Sequence, residues 1–278
     1  MLDTNPLILV TGSSDGIGLE TARTLAHNGA TVLLHGRNLE KTALARKEVE
    51  AACSRSLPEP VLGDLSSLKS AVGIAAELQE RGVFPDVLVN NAGVFCKERV
   101  LSVDGIEQTM AINHFGPFAL TRALLTQTGH RLRRIINVSS IAHTRGQLDL
   151  ADLRLGNRRF DGYGAYAASK LANVLYTVAL AEKLQGKTTV NALHPGVVST
   201  KLLREGFGSG GSDSLADGAA TSVMLALDPQ WEHTTGQYFA SRRPAAVNPL
   251  AKDLAFCRAF FEETDRIVDS VLASSRTS

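Results

Sequence analysis

Cysteine is scarce in this chain of 278 residues: Cys53, Cys96 and Cys257 stand far apart, with no metal-type pairing among them. That excludes a disulfide framework and reads as three unpaired thiols in a reducing compartment. An excess of one charge is also missing, since 29 Lys and Arg against 28 Asp and Glu leave a net charge of +1. Nothing in that balance asks for a nucleic acid or an acidic polymer as partner. No stretch approaches the roughly 18 consecutive apolar residues of a membrane span. Met1-Leu2-Asp3-Thr4-Asn5-Pro6 lacks the pattern of a signal peptide. His114, His143 and His194 have no metal-ligand spacing, so no metal is expected, and no internal repeat is visible. These absences predict a cytoplasmic protein with no membrane span.

What is present is an ordinary apolar content of 44%, enough for a sizeable core, in alternating strand-like and helix-like segments. Strands are predicted at 7–11, 31–35, 60–62, 86–90, 134–139, 188–194 and 236–240. Helices are predicted at about 17–28, 39–53, 67–81, 104–128, 163–185, 215–227 and 251–273. Alternation of this kind implies parallel strands with helices on both faces. With right-handed crossovers, the expectation is one α/β domain over 1–278, a Rossmann-type doubly wound sheet of about seven strands. Two stretches break the rhythm, 141–162 and the glycine-rich Gly206-Phe207-Gly208-Ser209-Gly210-Gly211-Ser212.

Three motifs carry chemistry. The apolar run Leu7–Thr11 leads into Gly12-Ser13-Ser14-Asp15-Gly16-Ile17-Gly18 and then a helix start, the context in which glycines mark a dinucleotide site. Gly12 permits the tight turn, Gly16 lets a pyrophosphate approach the backbone, and Gly18 lets helix and strand pack closely. Ser14, Asp15 and Ile17 complete that turn, whose helix N-terminus offers N–H groups and positive dipole to phosphates. Two buried-type strands end in Asn90-Asn91-Ala92-Gly93 and Ser139-Ser140, and in an open parallel sheet such strand ends gather along the ligand edge. Finally, Tyr166 and Lys170 lie four residues apart, on one face of a helix. An ammonium beside a phenol favours the phenolate, which brings a tyrosine pKa of about 10 toward working pH. Tyr163 is the rival, but it lacks the four-residue spacing to a lysine.

Together these motifs, in this order from Thr11 to at least Thr200, resemble the short-chain dehydrogenase/reductase family. The resemblance implies Tyr166 as general acid/base, Lys170 as the residue that lowers its pKa and holds the nicotinamide ribose, and Ser140 as donor to the substrate oxygen. Asn113 matches a helix asparagine that positions a water for proton relay; its plainer reading is a helix-distorting residue ahead of Pro117. The cofactor is expected to touch the glycine turn, Asp64 and Leu65 at the adenine, and Asn91, Ala92 and Gly93 at the ribose. It is also expected to touch Pro195, Gly196, Val198 and Thr200 around the nicotinamide. NAD-binding relatives place Asp or Glu at the end of the second strand. Here that strand ends in Gly36-Arg37-Asn38, with no carboxylate before Glu40, and Arg37 can fork onto a 2′-phosphate. NADP(H) is therefore expected over NAD(H).

The gap between Ser140 and Tyr166 is long for the family and carries Arg145, Asp149, Asp152, Arg154, Arg158 and Arg159. With Tyr166-Ala167-Ala168-Ser169-Lys170-Leu171-Ala172-Asn173, it resembles the branch of retinol dehydrogenases, WW-domain oxidoreductases and protochlorophyllide reductases. That implies a lipophilic carbonyl or alcohol as substrate. Residues 201–216 are expected to form a lid, with Leu202, Leu203 and Phe207 on its inner face. The alternatives are a carbon–carbon double-bond reductase of the same family and a non-catalytic NADP(H)-binding redox sensor. The resemblance also implies a homodimer or homotetramer through the helices at 104–128 and 163–185.

Overall fold

The computed structural model describes residues 5–128, 131–156, 159–208 and 210–274. The first half alternates β1 (Leu7–Val10), α1 (Gly16–His27), β2 (Thr31–Gly36), α2 (Leu39–Cys53), β3 (Val61–Leu62), α3 (Leu68–Glu80) and β4 (Val87–Asn90). A broken helix follows: α4 (Gln108–Met110), a π-turn at Ala111–Phe115 and α5 (Gly116–Thr128). Then come β5 (Arg134–Val138), 3₁₀ turns at Ile141–Arg145 and Leu150–Asp152, α6 (Gly162–Leu184) and β6 (Thr189–His194). The chain ends with α7 (Lys201–Phe207), α8 (Leu215–Leu227), β7 (Tyr238–Ala240), β8 (Arg243–Pro244) and α9 (Leu254–Ser274).

All eight strands join one sheet in the order β3-β2-β1-β4-β5-β6-β7-β8. The strands are short and apolar, buried on both sides, as parallel strands covered by helices must be. The chain winds outward from β1 to β3, then returns to place β4 on the other side of β1. That reversal opens a crevice at the carboxyl ends of β1 and β4, where ligands bind in open sheets. One apolar layer fills the face under α3, α5, α6 and α9, and a second fills the face under α1, α2 and α8.

Three boundaries differ from expectation for local reasons. The helix predicted from 104 starts at Gln108 because Asp104 instead accepts the Leu68 N–H at 2.7 Å and Gly105 turns with φ of 68°. Glu107 then caps the helix by accepting from the Met110 N–H at 2.9 Å. The helix predicted from 251 begins at Leu254, after a 3₁₀ turn at Pro249–Lys252. The eighth strand is a two-residue hairpin partner of β7, antiparallel to it, turned through Ser241 and Arg242 at positive φ. Neither residue announces such a turn, which glycine or asparagine usually supplies.

Two polar links bind the outer helices. Arg134, buried at the start of β5, donates to the carbonyls of Leu225 and Asp228 at 2.9 and 3.1 Å, closing the C-terminus of α8. On the opposite face α9 packs along α6, and Arg122 of α5 reaches Asp265 and Asp269 of α9, each at 2.7 Å. The outer face of α5 and α6 is thereby covered by the chain's own C-terminal helix. No helix among the described residues is long and apolar enough to cross a membrane.

Candidate active site

The glycine turn after β1 is shaped by what its glycines must avoid. A Cβ on Gly12, at φ of 64°, would lie 2.9 Å from the Ala92 Cα, and one on Gly18 would lie 2.2 Å from the Gly12 carbonyl oxygen. Gly16, at φ of 57°, faces open space, with only a Thr200 methyl at 3.8 Å. Asp15 caps α1, its carboxylate accepting from the Gly16 N–H at 2.7 Å. The Asn91 amide donates to the carbonyls of Thr11 and Gly12 at 2.9 and 3.3 Å, and the Thr11 hydroxyl accepts from the N–H of Asn91 and Ala92. The two strand-end turns flanking the crevice are thus one hydrogen-bonded unit. Asn90, by contrast, is buried in the sheet, its amide donating to Thr121 and Asn137.

His35, near the end of β2, is a determinant the sequence reading missed. Its Nδ1 accepts from the Gly12 N–H and its Nε2 lies on the Gly63 carbonyl, both at 3.2 Å, so Nε2 carries the proton. The ring ties the glycine turn to the loop of Asp64 and Leu65. Burial pushes its pKa down to about 4. Burial likewise lowers His114, packed among Phe115, Phe118, Tyr176 and Phe260, to about 3. An unfolded histidine near 6.5 binds a proton that these folded rings refuse, so stability falls as pH drops from about 6.5 toward 4. For His35 alone the loss is on the order of 3 kcal/mol. The melting temperature is expected to decline steeply across that window, less so in His35→Gln. A profile that is flat, and equal in the variant, contradicts the assignment.

One cavity of about 800 Å³ runs from the glycine turn to the Ser140 turn and is lined by nearly every residue expected to touch cofactor. Gly12, Ser14, Asp15, Gly16, Ile17, Gly18, Arg37, Asp64 and Leu65 border one end. Asn91, Ala92, Gly93, Pro195, Gly196, Val198 and Thr200 border the middle, and Ser140, Tyr166 and Lys170 the far wall. Arg37 is exposed at the rim beyond β2. The Asp64 carboxylate accepts from the Ser66 N–H at 2.9 Å. Asp213, also unforeseen, holds the strand-end segment after β6: its carboxylate accepts from the Val197 N–H at 2.6 Å, and a Cβ on Gly196 would collide with it.

The Tyr166 phenol faces the Ser140 side chain, whose polar contact favours the phenolate, and both line the cavity wall. Lys170 donates from Nζ to the Val138 carbonyl at 3.0 Å and lies 5.6 Å from the centre of the Tyr166 ring. The expected lowering of the phenol by Lys170 is not what this arrangement produces. Burial outweighs the Ser140 contact and pushes Tyr166 up to about 12. Burial also brings Lys170 down to about 8. Ser139, buried next to Ser140 in the same wall, donates its hydroxyl to the Lys170 carbonyl at 2.7 Å. Tyr163 lines the cavity one turn before Tyr166.

Asn113 sits in the π-turn, outside the cavity wall. Its amide accepts from the Val94 N–H at 2.7 Å and donates to the Val94 carbonyl and the Ser169 hydroxyl at 3.0 and 2.9 Å. Asn113 thus lies in a distorted helix and braces the loop beside Lys170. A Cβ on Gly93 would lie 3.4 Å from both Asn113 Oδ1 and Lys170 Nζ.

Part of the segment expected as a lid forms α7. α7 brings Leu202 and Leu203 to the cavity, and Gly206 packs on the Phe95 ring. Gly211 and Asp213 fold back onto Val197–Ser199, with the Gly211 N–H donating to Ser199 at 2.7 Å. The Phe207 side chain and Arg158 lie outside the described residues. In the 141–162 stretch, Ile141, Ala142, Thr144 and Arg145 reach the cavity.

A doubly wound sheet, a glycine turn at its switch point and a serine, tyrosine and lysine on one wall define a dinucleotide-dependent oxidoreductase. The chain matches the short chain dehydrogenase family over residues 6–207 and belongs to it. It is 37% identical to retinol dehydrogenase 13 of Mus musculus over 96% of this chain and 84% of that protein, and it falls in the retinol dehydrogenase-like branch. Among solved structures, an uncharacterised protein from Mycobacterium paratuberculosis shares 29% identity with a TM-score of 0.80, covering 97% of this chain and 96% of the other. A short chain dehydrogenase from Escherichia coli CFT073 complexed with NADPH shares 28% identity with a TM-score of 0.69, covering 87% and 98%.

Proposed function

We propose that the protein is an NADP(H)-dependent oxidoreductase that interconverts a carbonyl and an alcohol on a lipophilic substrate, with Tyr166 as general acid/base. The observation that carries this reading is that Ser140, Tyr166 and Lys170 share the wall of a cavity continuous with the glycine turn. Both hydroxyls can converge on one substrate oxygen, and Val138, whose carbonyl holds Lys170, places the ammonium behind them. The residues fit the cofactor: glycines that exclude any Cβ at the turn, an N-terminal helix end, and a basic rather than acidic residue beyond β2.

Bound in this cavity, the nicotinamide supplies or accepts a hydride. Ser140 donates to the substrate oxygen and stabilises the charge that develops there. Tyr166 gives that oxygen its proton in reduction. A phenol near 12 is fully protonated at neutral pH, which suits the reductive direction. Lys170, charged for the most part at neutral pH, offers its ammonium to the ribose hydroxyls and favours the phenolate after the proton has left. Asn113 acts as a positioning residue, bracing Val94 beside Lys170 and serving the relay that reprotonates the tyrosine. Arg37 holds the 2′-phosphate.

The substrate class follows from the far end of the cavity. Ile141, Ala142, Tyr163, Leu202 and Leu203 make it apolar, and Phe95 packs against Tyr166 at 5.6 Å between ring centres. Residues 201–216 act as its lid. Three free cysteines fit a cytoplasmic enzyme. Any homodimer or homotetramer built on α5 and α6 includes α9, which covers them. The test follows NADPH absorbance with a panel of lipophilic aldehydes, ketones and enones. Oxidation with aldehydes or ketones, giving alcohols, is expected. Turnover confined to enones, or tight NADPH binding with no turnover, overturns the carbonyl reading.

A further inference from the structure

Behind the Ser140 turn, three buried polar atoms have no protein partner: His143 Nε2, Tyr238 OH and His194 Nδ1. His143 is fully buried in the 3₁₀ turn that follows Ser140, and its Nδ1 lies 2.7 Å from the Ser140 carbonyl oxygen. A carbonyl oxygen only accepts, so Nδ1 carries the proton and a neutral ring leaves Nε2 as a lone pair in need of a donor. The Tyr238 ring packs tilted against this imidazole, with centroids 4.4 Å apart and planes at 51°. Tyr238 is paired with Ala192 across β6 and β7, so it shares a sheet face with His194, two residues further along β6. His194 is within electrostatic reach of His143, Lys170 and Asp213, and Tyr238 of Tyr166. His194 also borders the main cavity. The three groups therefore lie together behind the catalytic wall, His143 against Tyr238 and His194 on the sheet face that Tyr238 shares.

We propose that His143, Tyr238 and His194 bind one structural water and that this site positions Ser140 for the substrate oxygen. The proposal rests on Ser140 acting as the donor described above. The hydrogen-bond count closes on a single water: it donates to the two imidazole nitrogens and accepts from the Tyr238 hydroxyl. Leaving three such atoms unpaired in the interior is costly, which is why buried polar groups acquire ordered water. The water fixes His143 in the Nδ1–H form, and that N–H holds the Ser140 carbonyl. Burial lowers the His143 pKa and so favours the neutral ring that this requires. The turn is gripped from its other side by Asn248, whose amide nitrogen lies 3.2, 3.3 and 3.2 Å from the carbonyls of His143, Thr144 and Gly146. Ser140 thus depends on two clamps behind its turn, the water site and the Asn248 amide.

Two readouts test the site independently of any substrate. A high-resolution crystal structure should place a water within about 3.2 Å of all three atoms. Nitrogen-15 NMR should show His143 protonated at Nδ1 in the wild type and as a tautomer mixture in Tyr238→Phe. With a responding substrate, Tyr238→Phe and His143→Phe should each lower kcat about tenfold, less than the hundredfold or more lost when a transition-state donor is removed outright. The KM for NADPH should stay unchanged. His143→Asn, whose amide can still donate to Ser140, should recover most of the rate. A direct Tyr238–His143 bond with no water, an unshifted tautomer in Tyr238→Phe, or variants with lower melting temperature and wild-type kcat would overturn it. A wild type that turns over nothing removes the catalytic reading, while the crystal and NMR results still decide the water site.

Discussion

Tyr166→Phe should abolish turnover, lowering kcat by about a thousandfold, the scale of a lost general acid. Dissociation constants for the nicotinamide cofactor should move little. The substitution keeps the ring that packs on Phe95 and removes only the hydroxyl at the cavity wall. The folded state loses at most about one hydrogen bond, about 1 kcal/mol, so the variant should remain folded and testable. The cofactor's main anchors, the glycine turn and the Pro195–Thr200 segment, lie elsewhere along the cavity. The informative quantity is therefore the split between kcat and binding. A variant that keeps more than about a tenth of the rate takes Tyr166 out of the proton transfer, since loss of a general acid costs about a hundredfold or more. Tyr163, which lines the same wall, is then the next residue to replace.

Arg37→Ala should weaken NADPH binding by about a hundredfold, while NADH binding changes by less than about threefold. Arg37 is exposed, so its removal disturbs no core. A forked contact to a 2′-phosphate is a charge-assisted pair, and such pairs are the strong ones. NADH has no phosphate at that position, so it gives the internal control. Equal losses for both cofactors would show that Arg37 acts on the loop rather than on the phosphate. The effect should also shrink at high salt, because the rim is solvated and the interaction screened.

Much of this architecture was legible in the sequence because its determinants are local. Runs such as Leu7–Val10 and Val87-Leu88-Val89 are apolar throughout, and fully covered parallel strands require that. The glycine turn was legible because Gly12 and Gly18 stand where no Cβ fits. Tyr166 and Lys170 were legible from helical spacing, but their electrostatics were not. Spacing suggested an ammonium at the phenol oxygen, whereas Lys170 is held at Val138 and burial governs the tyrosine. How deeply Tyr166 is buried depends on Phe95 and Leu202, residues distant in the chain.

The remaining gaps are long-range as well. His35 works by bridging Gly12 and Gly63, and Asp213 by gripping Val197, and neither relation has a sequence period. A histidine ending an otherwise apolar strand was the one available hint for His35. The covering of α5 and α6 by α9 was hidden for the same reason, since Arg122 finds Asp265 and Asp269 across more than half of the chain. Short hairpins such as β7–β8, turned by Ser241 and Arg242, carry no turn signal to read.

The account stands or falls on hydride transfer to a carbonyl carbon. The direct measurement uses NADPH deuterated at nicotinamide C4, a lipophilic aldehyde or ketone, and mass analysis of the product. Deuterium on the carbinol carbon, transferred from one face of the cofactor by the wild type and not by Tyr166→Phe, is the predicted result. Deuterium on a saturated carbon beside an intact carbonyl, or none transferred at all, contradicts it.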